Sequence, residues 1–364
     1  MIMEKIEGKI GGREFAAIII LTVGTKLADD TPAILYDRLG NAAWMAPIIM
    51  GMIWIIPLYF LVKVISLYEG KSLVDIIKNL FGKYMGFIIL FLLWAIQSYA
   101  IIIDTAIYTD IIGTMYFTKT PALIIYILLM AVSAYGAKKG LEHIGSFAWS
   151  VLLWIKVSAF AALIMICIQG EIDFIFPILG PGKWEIVKES TANSSLFADF
   201  VYFSMIAPLI KSSKDYKKWK RLGLIFVILE LSFALFGFVL VFDYIAVKMM
   251  NYPFHEAIRY IQFGFLTNVE MFIFPFWLLS TFVRFAVYLY LCALLFGGLF
   301  NIKQYEYTIP TLATLFVFIG MIPETPTFTI FNLRQNFLHL ITPFFLVLPF
   351  VLWITAKLRG DFNK

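Results

Sequence analysis

Asp104, Lys156, Glu230 and Arg284 stand inside long apolar stretches of this chain, and Lys26 and Asp199 adjoin interruptions in two further ones. A charge at the centre of a bilayer costs about 2.5–3.5 kcal/mol on insertion scales, so each of these needs a partner or a task. A helical period of about 100° per residue puts Gln97, Asp104 and Tyr108 on one face of their helix. The same period gathers Trp277, Ser280, Arg284 and Tyr288 into a second stripe, with Glu270 and Thr281 at its edge. Polar stripes on otherwise apolar helices turn inward, toward water or toward other helices. Two chemistries fit such stripes: ion pairs and hydrogen bonds that tie helices together, or a cavity that takes up a small polar molecule. Tying is the expectation for Glu230 and Asp110, and both roles stay open for Lys156, Arg284 and Asp104.

Other chemistries find no constellation. His143, His255 and His339 are scattered, with no HExxH or Cys/His spacing for a metal, and Cys167 and Cys292 lie in apolar runs as packing residues without a CxxC pair. No GxxxxGK phosphate loop is present, which argues against an ATP-driven pump, and no GxSxG elbow. The expectation is a protein that is not an enzyme and carries no metal or cofactor.

The elements that hold these residues follow from composition. Hydrophobic residues make up 61% of the 364, and charged residues only 15%, where a soluble domain carries about 25%. The reading is an all-α membrane protein, a single transmembrane domain over residues 1–364. Apolar runs between polar punctuation give ten spans near 13–36, 42–66, 84–113, 121–136, 144–168, 196–210, 222–248, 268–299, 307–323 and 336–357. The loops 169–195 and 249–267 hold amphipathic fragments, 174–184 and 254–265, suited to the membrane interface. The N-terminal stretch lacks a small-residue cleavage site, so the first run is expected to remain as a span. The net charge of +5 does not point to nucleic acid, since no basic stripe is interleaved with stacking aromatics.

Lys211, Lys214, Lys217, Lys218, Lys220 and Arg221 crowd the stretch between spans 6 and 7, and loops rich in Lys and Arg stay in the cytoplasm. With the N-terminus inside, the cytoplasmic segments, Lys5 and Lys364 included, hold 19 basic residues and the outer ones 7, Arg334 among the latter. An even number of spans then puts both termini in the cytoplasm, with 169–195 on the other side.

Span 1 is interrupted by Gly24-Thr25-Lys26 and then Asp29-Asp30-Thr31-Pro32, and span 6 is short and carries Pro208. Broken helices at corresponding positions of two halves point to a transporter-type site between inverted repeats, because hydrocarbon tolerates freed backbone groups only around a cavity or ligand. The repeats would be about 13–168 and 196–357. The expected site lies among spans 1, 3, 6 and 8, with Gly24, Thr25, Asp104, Tyr202, Ser204, Ser280 and Arg284 as ligand-binding residues.

The order of short motifs resembles the B subunits of nutrient germinant receptors of endospore-forming bacteria, within the amino acid–polyamine–organocation superfamily. Gly24-Thr25 with Pro32, Trp44, Gly70-Lys71-Ser72-Leu73, Leu80-Phe81-Gly82-Lys83, Gly86 and Thr120-Pro121 carry the resemblance in the first half. Gly140-Leu141-Glu142, Pro177-Ile178-Leu179-Gly180, Tyr252-Pro253, Glu270, Trp277 and Arg284 continue it through span 8. The chain departs from the pattern at Ser146 and Asn268, where the family often has basic residues, and at Tyr202 and Ser204, where span 6 lacks the common acid. The resemblance implies a LeuT-like 5+5 inverted-repeat fold with broken spans 1 and 6. It implies that backbone N–H groups at Gly24 and Thr25 meet a ligand carboxylate, as helix N-termini hold anions. It also implies a coupling role for Lys156, at the place where some relatives hold sodium, with its ammonium turned toward the span 1 break and span 8 and kept apart from Arg284.

The function implied is a nutrient-sensing receptor subunit in the spore inner membrane or cell membrane, binding a small nutrient, an amino acid above all. It would trigger germination through an A-type membrane subunit and a C-type lipoprotein. A proton-coupled amino-acid transporter and a water or ion conduit are the alternatives. The few acids near span 6 favour a neutral over a cationic ligand.

Overall fold

The computed structural model describes residues 9–261, 269–322 and 325–363. Lys5, Lys364, Asn268 and residues 262–265 at the end of the second amphipathic fragment lie outside the described residues. Among those described, the regular elements are helices, and the β contact present is an isolated parallel bridge between Ile10 and Ile210. Its hydrogen bonds, Ile10 N to Leu209 O at 2.9 Å and Lys211 N to Ile10 O at 3.0 Å, tie the entry of span 1 to the exit of span 6.

Six helical stretches are long and apolar enough to cross a membrane: Thr31–Leu67, Leu73–Tyr116, Leu141–Gln169, Ser213–Lys248, Glu270–Phe300 and Pro326–Leu358. Ala122–Lys138 and Ser194–Leu209 are shorter apolar helices. The stretches expected as spans 1, 4, 6 and 9 are the short or interrupted ones. Helix α1 (Gly12–Gly24) gives way to a 3-10 turn over Thr25–Ala28 and restarts as α2 (Thr31–Leu39). Pro32 sits in the first turn of α2, where its missing N–H is not needed. Asp29 Oδ1 accepts the Thr31 N–H at 2.7 Å, satisfying a donor that the break frees. Span 6 is a chain of short pieces: 3-10 over Ser194–Phe197, one α turn, and 3-10 again over Phe203–Leu209. Long 3-10 stretches have poorer hydrogen bonds and mark strain or a hinge.

The remaining helices are α3 (Ala46–Leu67), α4 (Leu73–Ile111), α5 (Ala122–Lys138), α6 (Leu141–Gln169) and α7 (Lys183–Ala192). After α8 (Asp199–Tyr202) come α9 (Ser213–Lys248), α10 (Pro253–Tyr260) and α11 (Glu270–Phe300). The chain ends with α12 (Ile309–Gly320), the single turn α13 (Pro326–Phe328), a π-helical stretch Thr329–Arg334 and α14 (Gln335–Leu358). Helix α4 starts earlier than the expected span 3 because Ser72 and Asp75 form a capping box, which satisfies two free backbone donors. Gly82, at φ 70°, then bends the chain into the span proper. Helix α9 also starts early, so all of the basic cluster except Lys211 lies on its first turns rather than in a loop. Helix α11 is buried along most of its length, and α1 packs between α9, α6 and α11. The span 1 break therefore sits in the middle of the bundle.

Candidate functional site

The backbone opens at residues 25–30, and two ionic clusters flank that opening. Below Gly24, Lys156 of α6 reaches Glu230 of α9, Nζ to Oε1 at 2.6 Å, with the Glu230 side chain fully buried. A Cβ on Gly24 would lie 2.6 Å from Glu230 Oε2 and 3.0 Å from Lys156 Nζ. Glycine is present here because an ion pair occupies the space of a side chain. Lys156 does turn toward the span 1 break, but its partner comes from α9 rather than from span 8.

On the other side of the break, Arg284 of α11 donates from Nη1 to Asp29 Oδ2 at 3.1 Å and from Nη2 to Asp104 Oδ2 of α4 at 2.5 Å. Arg334, at the end of the π-helical stretch, lies 3.2 Å from Asp29 Oδ2, 2.5 Å from Asp30 Oδ1 and 2.9 Å from Asp104 Oδ1. Two guanidiniums thus hold three carboxylates in one buried network. The Arg284 guanidinium also lies between the rings of Tyr108 and Tyr288, 5.3 Å from each centroid, an arrangement favourable to a cation.

A third contact closes the wall. Lys26 Nζ touches Asp199 Oδ2 and the Leu196 carbonyl, and Tyr288 O–H donates to Asp199 Oδ1 at 2.7 Å. The breaks in spans 1 and 6 therefore meet through a salt bridge. Between this pair and the arginine network lies a cavity of about 50 Å³. Its polar wall is Lys26, Gln97, Asp104, Asp199, Tyr288 and Arg334, with Tyr202 completing it and Phe337, Leu338 and Phe345 forming an apolar side. A water needs roughly 10–15 Å³ on this measure, so a nutrient-sized molecule enters only after the walls part.

Asp104 and Tyr202 line the cavity, and Arg284 reaches it through Asp104. Tyr202 also donates to the Leu93 carbonyl at 3.0 Å. Thr25 and Ser280 meet each other, Oγ1 to Oγ at 2.7 Å, and the Thr25 carbonyl accepts from Tyr108 O–H at 3.4 Å. They brace the break without lining the cavity. Ser204 lies elsewhere: its Oγ meets Lys220 Nζ at 2.8 Å and Tyr216 O–H at 2.9 Å. Lys220 is thereby buried at 2% exposure, so one of the six clustered cations is not a solvated loop charge. Gln97, Asp104 and Tyr108 are all buried, as are Trp277, Ser280, Arg284 and Tyr288.

Arg334 is the residue that sequence reading assigned elsewhere. It falls at the edge of an apolar run, where an exposed loop arginine is the ordinary expectation. The π-helical turn carries it inward instead. Lys26, Asp29, Asp30 and Asp199 were visible as charges beside the breaks, and Tyr288 through its stripe. What spacing could not show was who pairs with whom.

Helix α10 packs against the break. His255 Nε2 meets the Ala28 carbonyl at 2.9 Å, and Nδ1 meets Tyr116 O–H at 2.8 Å. In the neutral ring, Nε2 donates to the carbonyl and Nδ1 accepts from the phenol. Burial pushes the imidazole down to about 3, the usual result when desolvation disfavours a cation.

Comparison with known proteins agrees with this architecture. The chain is similar to spore germination protein KB of Bacillus subtilis, 23% identical over 83% of this chain and 77% of that protein. It is also similar to spore germination protein XB of Bacillus anthracis, 22% identical over 71% of this chain and 72% of that one. Among solved structures, a Na+-coupled sialic acid symporter in a substrate-bound outward-open state superposes with a TM-score of 0.67. That match has 12% identity and covers 95% of this chain and 79% of the symporter, a likeness of fold. With the apolar helices described above, these similarities make the chain an integral, multi-pass membrane protein of transporter-like, LeuT-type fold. A family profile described as spore germination protein matches residues 13–329, and the chain belongs to that family.

Proposed function

We propose that this protein is the nutrient-sensing B-type subunit of a germinant receptor, binding an amino acid in the cavity between the two broken helices. The observation that carries the reading is the pairing of Lys26 with Asp199 and of Arg334 with Asp104 in the walls of one cavity. A zwitterion offers the same two charges. Its carboxylate can take the place of Asp199 on Lys26, or of Asp104 on Arg334, and its ammonium can meet the freed carboxylate. Exchange of an internal pair for a ligand pair costs little net charge desolvation and moves spans 1, 3, 6 and 10 relative to one another. Gly24 and Thr25 close the C-terminal end of α1, where the Thr25 N–H is bonded to the Val23 carbonyl, so the charged side chains rather than these N–H groups would hold the carboxylate.

Ten spans arranged as a 5+5 inverted repeat, with both termini in the cytoplasm, complete the proposal. The single-turn helix and 3-10 pieces of span 6 mirror the break in span 1, which supports that symmetry. A-type and C-type subunits would read the motion, and germination would follow. Spores carrying Asp199→Asn test the reading. They should lose response to amino-acid germinants while protein level and response to non-nutrient triggers persist. An unchanged dose response would overturn it. Uptake of labelled amino acids into proteoliposomes separates sensing from carrying: binding without flux is expected, and flux driven by a proton gradient would favour the transporter.

A further inference from the structure

Helix α5 carries two apolar grooves, one on each side, and two adjacent lysines at the same end. The first groove, about 570 Å³, runs between α5 and α12 from Leu123 past Ile127, Ala131 and Ala134 to Lys138, with Pro310 and Phe318 on the opposite wall. The second, about 460 Å³, lies between α5, α6 and α11 and is closed by Lys139 and His143, with Phe147, Phe282 and Ala286 along it. Tyr135 is the ridge that both grooves share. From Leu123 to Lys138 the helix rises about 22 Å at 1.5 Å per residue, the length of an extended acyl chain.

The lysines are not committed elsewhere. Lys138 Nζ lies over the Tyr307 ring at 5.6 Å and Lys139 Nζ over the Tyr135 ring at 5.3 Å. Neither has a carboxylate partner among the described residues, and Glu142 and Glu306 are the acids in the adjoining chain. Basic pockets between membrane helices on the cytoplasmic side suit anionic lipid headgroups.

We propose that α5 holds one anionic diacyl phospholipid, its two chains astride Tyr135 in the two grooves and its phosphate between Lys138 and Lys139. The occupant is anionic because neither lysine is neutralised by a carboxylate among the described residues. It has two chains because the grooves are separate and end at neighbouring residues. Helix α5 packs on α11, which carries Arg284, so a lipid held there braces the helix that anchors the arginine network.

The test is native mass spectrometry of purified protein given phosphatidylglycerol and phosphatidylcholine with identical chains. Wild type should retain phosphatidylglycerol several-fold over phosphatidylcholine. Lys138→Gln with Lys139→Gln should bring that ratio close to one, and neutralising Lys214 and Lys217 on α9 should lower it less. Ala131→Trp, which fills the first groove, should reduce retention of both lipids. These positions face outward except where they line the groove, and gel filtration checks that each variant remains a single species. Equal retention by wild type, a preference that survives the double substitution, a larger loss from the α9 variant, or undiminished retention by Ala131→Trp would each overturn the proposal.

Discussion

The two ionic clusters beside the span 1 break are built on different stoichiometry. Lys156 and Glu230 form a closed pair of one cation and one anion, set apart from the cavity. Arg284 and Arg334 share Asp29, Asp30 and Asp104, and Asp104 and Arg334 also line the cavity. A one-to-one pair can be deleted as a unit, because removing both charges leaves nothing buried and unpaired. A network of two cations and three anions cannot, since any single deletion changes the sharing among those left. The closed pair fixes the position of α1 against α6 and α9, while the network can redistribute its contacts when a ligand arrives.

Breaking the network should have the largest effect. Arg284→Met leaves Arg334 alone to hold Asp29, Asp30 and Asp104, and loss of one partner of a buried pair costs about 3–5 kcal/mol. The melting temperature of the purified protein should fall steeply. Arg284→Lys should recover only part, because a single ammonium cannot bridge two carboxylates as a guanidinium fork does. Full recovery by lysine would erase the distinction drawn between the clusters.

Lys156→Met comes next, and it sharpens the comparison. Alone it strands Glu230, with a loss of similar size, about 3–5 kcal/mol. Combined with Glu230→Gln it should return most of the stability, measured as a double-mutant cycle. No double substitution within the arginine network should show comparable rescue. Gly24→Leu is expected to resemble the Lys156 single variant, since its side chain would displace the same pair. A Gly24→Leu protein with wild-type melting would remove the packing explanation for this glycine.

Over the mildly acidic range, the smallest effect is the pH dependence from His255. Its folded value lies near 3, below the unfolded value of about 6.5, so the unfolded chain binds the extra proton between those limits. Stability from this group is complete above about pH 6.5 and declines as pH falls toward 3. Tyr116, Trp277, Phe254 and Arg259 surround the ring, and Asp29 lies nearby. His255→Gln, which keeps a donor and an acceptor, should flatten this acid limb of the melting curve without changing melting at pH 8. An unchanged limb would assign the acid sensitivity to the buried aspartates.

Much of the site's membership was legible before its geometry. Asp104 and Arg284 stood out because charges in apolar runs are costly, and their stripes gave the inward faces. Gly24-Thr25 and Pro208 marked the breaks through backbone chemistry that is local. Ser204 was misplaced for a reason equally local: span 6 is mostly 3-10, so a 100° period does not say which way its side chains point. It faces Tyr216 and Lys220 instead of the cavity. Arg334 was hidden because a π-helical turn adds a residue to the repeat and rotates the side chains beyond it.

The membrane solvent, the helical class, the places where helices must break and the charges that cannot face lipid are all written in the order of residues. Those follow from transfer costs and backbone geometry, which act over a few residues. Helix packing alone pairs Lys156 with Glu230 and Lys26 with Asp199, and brings Arg334 beside Arg284 on shared carboxylates. Pairings between residues 74, 173 and 305 positions apart depend on how whole helices pack, and no local periodicity encodes that distance.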